Sequence, residues 1–285
     1  MTGQGPRTLD WHWQVIKVLV VPVFKLLRWR IDVRDVHHVP AEGGAVLAFN
    51  HHSYADAIML AWGVVLYAKR PLRFLAKREA CEGRWIGWLT RWVAAIPVDR
   101  ASSSARAAAL NEAEAALRAG DLVTIAPEQT ISDSLELLPF RLGAARLAIA
   151  AGVPIVPCIG WGSQRSVGPD RRLAKVLGLP VVVRFGAPMR PHDGEDAAAF
   201  TRRLRTTMET MLDEVQHSYP DGVPAGAPWV PARLGGGAPA HDEVLAQHRA
   251  RVREWGERLD VDELRDAADT LDREDVPDAE QERDR

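Results

Sequence analysis

Cysteine is nearly absent: Cys81 and Cys158 are the only two in 285 residues, and they stand far apart. They build neither a disulfide framework nor a Cys-x2-Cys metal site, and an intracellular, reducing compartment is the simplest expectation. Long apolar runs are missing as well. In the first hydrophobic stretch the longest unbroken run covers residues 18–24 and contains Pro22, whereas a bilayer-spanning helix needs about 20 apolar residues. A dominant charge sign is also lacking, with 36 Lys+Arg against 38 Asp+Glu. That balance, without zinc-finger spacing or an RNA-binding aromatic motif, makes no case for nucleic acid as a partner. Tyrosine and phenylalanine are sparse, at three and six, against ten tryptophans. Tryptophan favours both cores and membrane–water interfaces, so its placement matters.

What remains is an ordinary globular composition, 47% apolar and 26% charged, enough for one large domain or two small ones with a real core. The net charge of −2 conceals a division. Residues 241–285 carry 16 acidic and 8 basic side chains, while residues 1–240 carry 28 basic and 22 acidic. A mildly basic body suits an anionic substrate or a membrane surface.

Residues 11–29 form an amphipathic stretch. On a helical wheel Trp11, Val15, Val18, Pro22, Leu26 and Trp29 share one face, and Gln14, Lys17, Lys25 and Arg28 lie opposite. Trp-flanked and basic, this is the pattern of a helix lying in a membrane interface, and equally of one packed on its own domain. No small-residue cleavage site follows, so a signal peptide is not expected. From residue 40 onward, short apolar runs alternate with helical stretches. Strands are expected near 45–49, 72–75, 93–98, 122–126, 153–159 and 181–185, and helices near 54–67, 82–92, 103–119, 141–151 and 197–217. The alternation predicts an α/β fold, a largely parallel or mixed central sheet flanked by helices. It adds an N-terminal amphipathic helical segment (1–39) before a central domain (40–219). A Gly/Pro-rich linker and an acidic, helical or partly disordered tail (220–285) follow.

Chemistry concentrates in Phe49-Asn50-His51-His52-Ser53-Tyr54-Ala55-Asp56, a turn between a buried strand and a helix. The spacing lets the Asp56 carboxylate reach one imidazole nitrogen of His51 and leaves the other free to take a proton from a substrate hydroxyl. Two other readings fit the same residues. Asp56 with Ser53 resembles a helix capping box, and His52 with Asp56, four apart, offers two metal ligands without a visible third. Trp85, Trp88, Leu89 and Trp92 form a stripe at helical spacing, with Arg84 and Arg91 beside it. That stripe reads as core or as a lipid-facing wall.

Asn50-His51-x-Ser53-x-x-Asp56 resembles the His-x4-Asp signature of the glycerolipid acyltransferases, the 1-acylglycerol-3-phosphate acyltransferase superfamily. Three later blocks resemble that family in order: Ala95-Ile96-Pro97-Val98-Asp99-Arg100, then Ala126-Pro127-Glu128-Gln129-Thr130-Ile131-Ser132 with Phe140-Arg141-x-Gly143-Ala144, then Val153-Pro154-Ile155-Val156-Pro157. The resemblance implies an O-acyltransferase moving a fatty acyl group from acyl-CoA or acyl carrier protein to a lysophospholipid hydroxyl, with His51 and Asp56 as catalytic pair. Substrate contacts are expected at Arg100, Glu128, Gln129 and Thr130, with Lys77 and Arg141 as further positive charges. Each of these charged residues, taken alone, reads equally as a solvated surface charge. No metal or redox cofactor is expected, and the place of work is the cytoplasmic face of a membrane, peripheral or monotopic. The third block departs from the family at Gln129, usually Gly, and Ile131, usually Arg. Losing that arginine removes a bidentate phosphate donor, so a different lysophospholipid, another lipid or a glycolipid is the alternative acceptor. A non-catalytic lipid-binding relative is the alternative of another class.

Overall fold

The computed structural model describes residues 11–78, 95–98, 103–166 and 177–256. The expected helix over 82–92, the stripe of Trp85, Trp88, Leu89 and Trp92 with Arg84 and Arg91, and Arg100 lie outside the described residues, as does the tail beyond 256. Seven strands form one sheet in the order β1-β7-β6-β2-β5-β3-β4. They are β1 (Arg30–Arg34), β2 (Ala45–Phe49), β3 (Leu72–Lys77), β4 (Ile96–Val98), β5 (Leu122–Ile125), β6 (Ile155–Trp161) and β7 (Pro180–Phe185). All neighbours pair parallel except β6 and β7, so the sheet is mixed. The helices are α1 (Trp11–Leu26), α2 (Asp56–Gly63), α3 (Ser103–Arg118), α4 (Gly143–Ala151), α5 (Ala197–His217) and α6 (His241–Gly256).

Period-two alternation splits each inner strand between two cores. From β2 and β6, Val46, Ala48, Ile155, Ile159 and Trp161 face a cluster with Ala113, Leu117, Leu147, Phe200 and Leu204 of α3, α4 and α5. Ala45, Leu47, Phe49, Val156 and Cys158 face a second cluster with Trp13 of α1 and Met59 and Leu60 of α2. Both faces are covered, which is why β2 reads as a continuous apolar run. Burial also raises the Cys158 thiol well above its usual pKa, leaving a packing residue rather than a reactive one.

Three regions depart from the sequence expectations. Strand β1 has no counterpart among the expected strands. It begins the sheet ten residues ahead of the boundary set at residue 40, and its alternating charges hide it because it is an edge strand, half-exposed along much of its length. The strand expected at 153–159 begins two residues later and runs to Trp161, with Pro157 inside it facing Ala48 of β2. The Gly/Pro segment is folded rather than extended: Gly226 N–H donates to the Gly235 carbonyl at 2.8 Å, and Ala238 N–H to the Val230 carbonyl at 3.1 Å. A Cβ at Gly236 would press into the Val230 backbone, so glycine there serves close packing and not flexibility. The segment is pinned by Arg165, which pairs with Asp221 at 2.6 Å and lies 4.0 Å over the Trp229 ring. Helix α6 then docks back through buried Val244, His248 and Val252.

In α1, Trp13 is buried, and Phe24 meets Trp29 at 4.7 Å and Trp62 of α2 at 5.2 Å. Val18, Leu19, Val23 and Leu26 remain exposed. No described helix is long and apolar enough to cross a membrane.

The loops feeding β2 and β5 are tied together by Arg70, only 3% exposed. Its guanidinium donates to the carbonyls of Pro40 (2.7 Å), Gly43 (3.0 Å) and Gly120 (2.6 Å). Arg70→Met would leave three acceptors without that donor, at a cost of roughly 3 kcal/mol. The expected outcome is a fall in melting temperature of about 10 °C, measured by circular dichroism; a change under two degrees would contradict the clamp.

Candidate active site

Strand β2 is central, and the chain reverses direction across it. From β2 the connections run outward to β3 and β4, return to β5 and then cross to β6 on the other side. Sites form at the carboxyl ends of strands at such a reversal. There the chain leaves β2 at Phe49 and turns through Asn50 and His51 before entering α2 at Asp56.

The turn is fixed by buried polar groups. Asn50, fully buried, forms a bridge to β6: Gly160 N–H donates to its Oδ1 at 2.7 Å, and its Nδ2 donates to the Gly160 carbonyl at 3.0 Å. Nδ2 also donates to His52 Nδ1 at 3.1 Å. His52 is wholly buried against Trp161, and burial lowers its pKa to about 4, so this histidine is a neutral packing residue. His51 is the one that faces outward, with its side chain 25% exposed.

Asp56 is 3% exposed. Its Oδ2 accepts from the backbone N–H of His52 and of Ser53, both at 2.7 Å, and stands 3.4 Å from His51 Nδ1. Ser53 Oγ in turn accepts from Ala55 N–H at 3.0 Å. One carboxylate thus reaches back to the Ser53 amide, as the acid of a capping box does, and faces the His51 imidazole as well, while the Ser53 hydroxyl takes Ala55 N–H and not Asp56 N–H. The 3.4 Å contact with His51 is long for a hydrogen bond. Among the described residues, no group of three or more His, Cys, Asp or Glu side chains is placed to hold a metal ion.

The third block packs directly on this turn. Glu128, 1% exposed, accepts His51 N–H on Oε1 and Leu138 N–H on Oε2, both at 2.9 Å. Ser132 N–H donates to the His51 carbonyl at 2.9 Å. His51 is thus held at both ends of its peptide by one loop. Desolvation raises the Glu128 pKa to about 8. Both oxygens of its carboxyl thus engage the protein's own backbone. Gln129 takes a left-handed conformation, φ 56°, the backbone state that glycine adopts most easily. Gln129 and Thr130 are both half-buried at this loop. Arg141 is half-buried behind it, with its N–H on the Pro127 carbonyl and its pKa lowered by burial. Lys77 closes β3, two strands from the site; its side chain lies outside the described set.

Two contributors carry no role in the sequence reading. Asn50 stands within the motif, and its place at a strand end was the available signal. Ser163 follows β6 and donates to Asp56 Oδ1 at 2.5 Å; 107 residues away, it leaves no local pattern to read. The C-terminal segment adds a third layer, in which Ser132 Oγ bonds Ser134 Oγ at 3.0 Å and Ser134 Oγ bonds His241 Nδ1 of α6 at 2.9 Å.

Comparison with known proteins agrees with this geometry. Residues 30–161 match the acyltransferase family model. The chain is 33% identical over 210 residues to the human 1-acyl-sn-glycerol-3-phosphate acyltransferase beta, covering 72% of this chain and 73% of that protein. It is 27% identical over 157 residues to the 1-acyl-sn-glycerol-3-phosphate acyltransferase of Bacillus subtilis, covering 54% and 75%. The fold is similar to the crystal structure of the 1-acyl-sn-glycerophosphate acyltransferase PlsC from Thermotoga maritima, with a TM-score of 0.59 at 20% identity over 72% of this chain and 80% of that one. With a relative one third identical across nearly three quarters of both chains, the protein belongs to the acyltransferase family and is an O-acyltransferase of the 1-acylglycerol-3-phosphate acyltransferase kind.

Proposed function

We propose that the protein transfers a fatty acyl group from a thioester, acyl-CoA or acyl carrier protein, to a lysophospholipid hydroxyl in phospholipid synthesis, with His51 as general base. The observation that carries this reading is the asymmetry of the His51 ring. An ionised carboxylate only accepts hydrogen bonds, so facing Asp56 Oδ2 places the ring proton on Nδ1. Nε2 then keeps its lone pair, and it makes no hydrogen bond among the described residues. Nε2 takes the acceptor's hydroxyl proton as the oxygen attacks the thioester carbonyl. The tetrahedral intermediate collapses, the carbon–sulfur bond breaks, and the departing thiolate takes the proton back from His51. Asp56 stabilises the transient imidazolium, and a positioned base of this sort contributes about 10²–10⁴-fold.

The related 1-acyl-sn-glycerol-3-phosphate acyltransferases favour 1-acylglycerol-3-phosphate as acceptor. Gln129 and Ile131 favour a lysophospholipid with another headgroup, because the loop has lost a guanidinium and gained a side chain. We place the enzyme at a bilayer surface. Helix α1 presents exposed Val18, Leu19, Val23 and Leu26 beside exposed Lys17, Lys25 and Arg28. It meets α2 through Phe24 and Trp62, and α2 carries exposed Ile58, with exposed Tyr54 in the turn before it. An apolar rim of this composition suits burial in the acyl–headgroup boundary.

Three outcomes test this reading. His51→Ala should lower release of free thiol from acyl-CoA with a lysophospholipid panel by at least about a hundredfold, with the circular dichroism spectrum unchanged; near-normal turnover would sink the mechanism. Leu19→Asp combined with Leu26→Asp should weaken co-sedimentation with anionic phospholipid vesicles about tenfold or more, and unaltered binding would remove α1 from the membrane contact. The third concerns Glu128, whose pKa stands above its unfolded value of 4.5 at about 8. A carboxyl raised in this way takes up a proton on folding, so its contribution is complete at low pH and is lost as pH rises through about 8. From pH 7 to 8.5 this carboxyl should take about 1 kcal/mol from the stability of the wild type. In Glu128→Gln that slope should vanish, whatever the variant's absolute stability, as read by chemical denaturation at each pH.

A further inference from the structure

The Asp56 carboxylate faces His51 with one oxygen only, and the other is held from across the sheet. Oδ1 accepts the Ser163 hydroxyl at 2.5 Å, and Ser163 is 1% exposed. Since an ionised carboxylate has no proton to give, the hydroxyl is the donor. This contact joins the end of β6 to the first turn of α2.

Ser163 is itself immobilised. Its carbonyl accepts Ser166 Oγ at 2.7 Å and Ser166 N–H at 2.9 Å. The preceding Gly162 adopts φ 104° and donates to Gln164 Oε1 at 2.7 Å. A Cβ at Gly162 would press on the Pro180 carbonyl and stand 2.8 Å from the Tyr219 hydroxyl, so the chain passes there only as glycine. The hydroxyl therefore points from a fixed loop, and it lies beyond the family match, which ends at Trp161.

A carboxyl rotates readily about its last side-chain torsion, whose wells are broad. The two backbone amides and the His51 ring converge on Oδ2 alone, and a bond to Oδ1 is what fixes the carboxylate plane. We propose that Ser163 is a positioning residue for acyl transfer, holding the plane of Asp56 so that His51 keeps its proton on Nδ1 and its lone pair on Nε2. This rests on the role of His51 proposed above.

The test reads the tautomer directly. The full chain labelled with 15N-histidine is examined by long-range 1H–15N correlation at a pH where the ring is neutral, with His51→Gln assigning the signals. In wild type His51 should show a protonated Nδ1 and an unprotonated Nε2. In Ser163→Ala the two nitrogens should move toward each other as the tautomers mix, while kcat falls about tenfold and KM stays within twofold. Ser166→Ala supplies the control, since it removes one of the two hydrogen bonds on the Ser163 carbonyl, keeps the N–H bond that holds the turn and does not touch Asp56; its His51 spectrum and its kcat should match wild type. Ser163→Cys, nearly the same size with a weaker donor, should fall between serine and alanine, and it serves if the alanine variant does not fold. An unchanged His51 tautomer in Ser163→Ala, or an equal loss in Ser166→Ala, would overturn the proposal. Should wild type fail to transfer acyl groups, the function reading falls while the tautomer measurement still decides the role of Ser163.

Discussion

A carboxylate taken out of water must find donors or surrender its charge, and Asp56 meets that demand with groups from separate parts of the chain. Two backbone amides come from its own turn, an imidazole from the end of β2, and a hydroxyl from the end of β6. Satisfying one buried acid thus closes α2 onto the sheet and orients the histidine. The helix start and the His51/Asp56 pair are one hydrogen-bonded unit, so a carboxylate that binds the amides of its own turn is at the same time the one that faces the imidazole.

The surrounding fold makes that unit rigid. Strands β2, β5 and β6 run parallel and adjacent, so their carboxyl ends open at one edge. Each contributes a buried polar anchor there: Asn50 after β2, Glu128 after β5 and Ser163 after β6. None of the three needs to touch substrate to matter. Asn50 ties two strand ends together, and Glu128 and Ser132 hold the His51 peptide. The opposite edge is secured separately by Arg70, at a site where carbonyls rather than amides are exposed.

How much of this was legible depended on the range of the interactions. The His51/Asp56 pair sits within six residues, so the spacing suggested their contact while leaving base, cap and metal ligand open, and the inner strands announced themselves as apolar runs. Glu128 was recognisable as a site residue, yet its partners were not, because the N–H groups it binds belong to His51 and Leu138, and no side-chain pattern marks a backbone donor. The Gly/Pro segment misled for a related reason: glycine signals flexibility and close packing alike, and only the position of the Val230 carbonyl tells them apart. Tryptophan was ambiguous in the same way. Trp13 and Trp161 proved to be core residues, while the exposed large apolar side chains described in α1 are valine and leucine. Ser163 was beyond reach, since a lone serine acquires meaning only when a strand crossover brings it to Asp56.

The third block holds the His51 peptide through one acceptor, the Glu128 carboxyl, and one donor, the Ser132 N–H. Its backbone contacts, from Glu128 and Ser132 to His51, depend little on the residues between them. Gln129 keeps a left-handed backbone at a modest steric cost, so the loop retains the path that a glycine would take while carrying a side chain at its rim. Ile131 stands between Gln129, whose N–H donates to the Ala126 carbonyl, and Ser132, whose N–H donates to the His51 carbonyl. The left-handed turn at Gln129 and the two bonds on the His51 peptide belong to one loop, so the support of His51 rests on the path of that loop and not on the side chains at its rim.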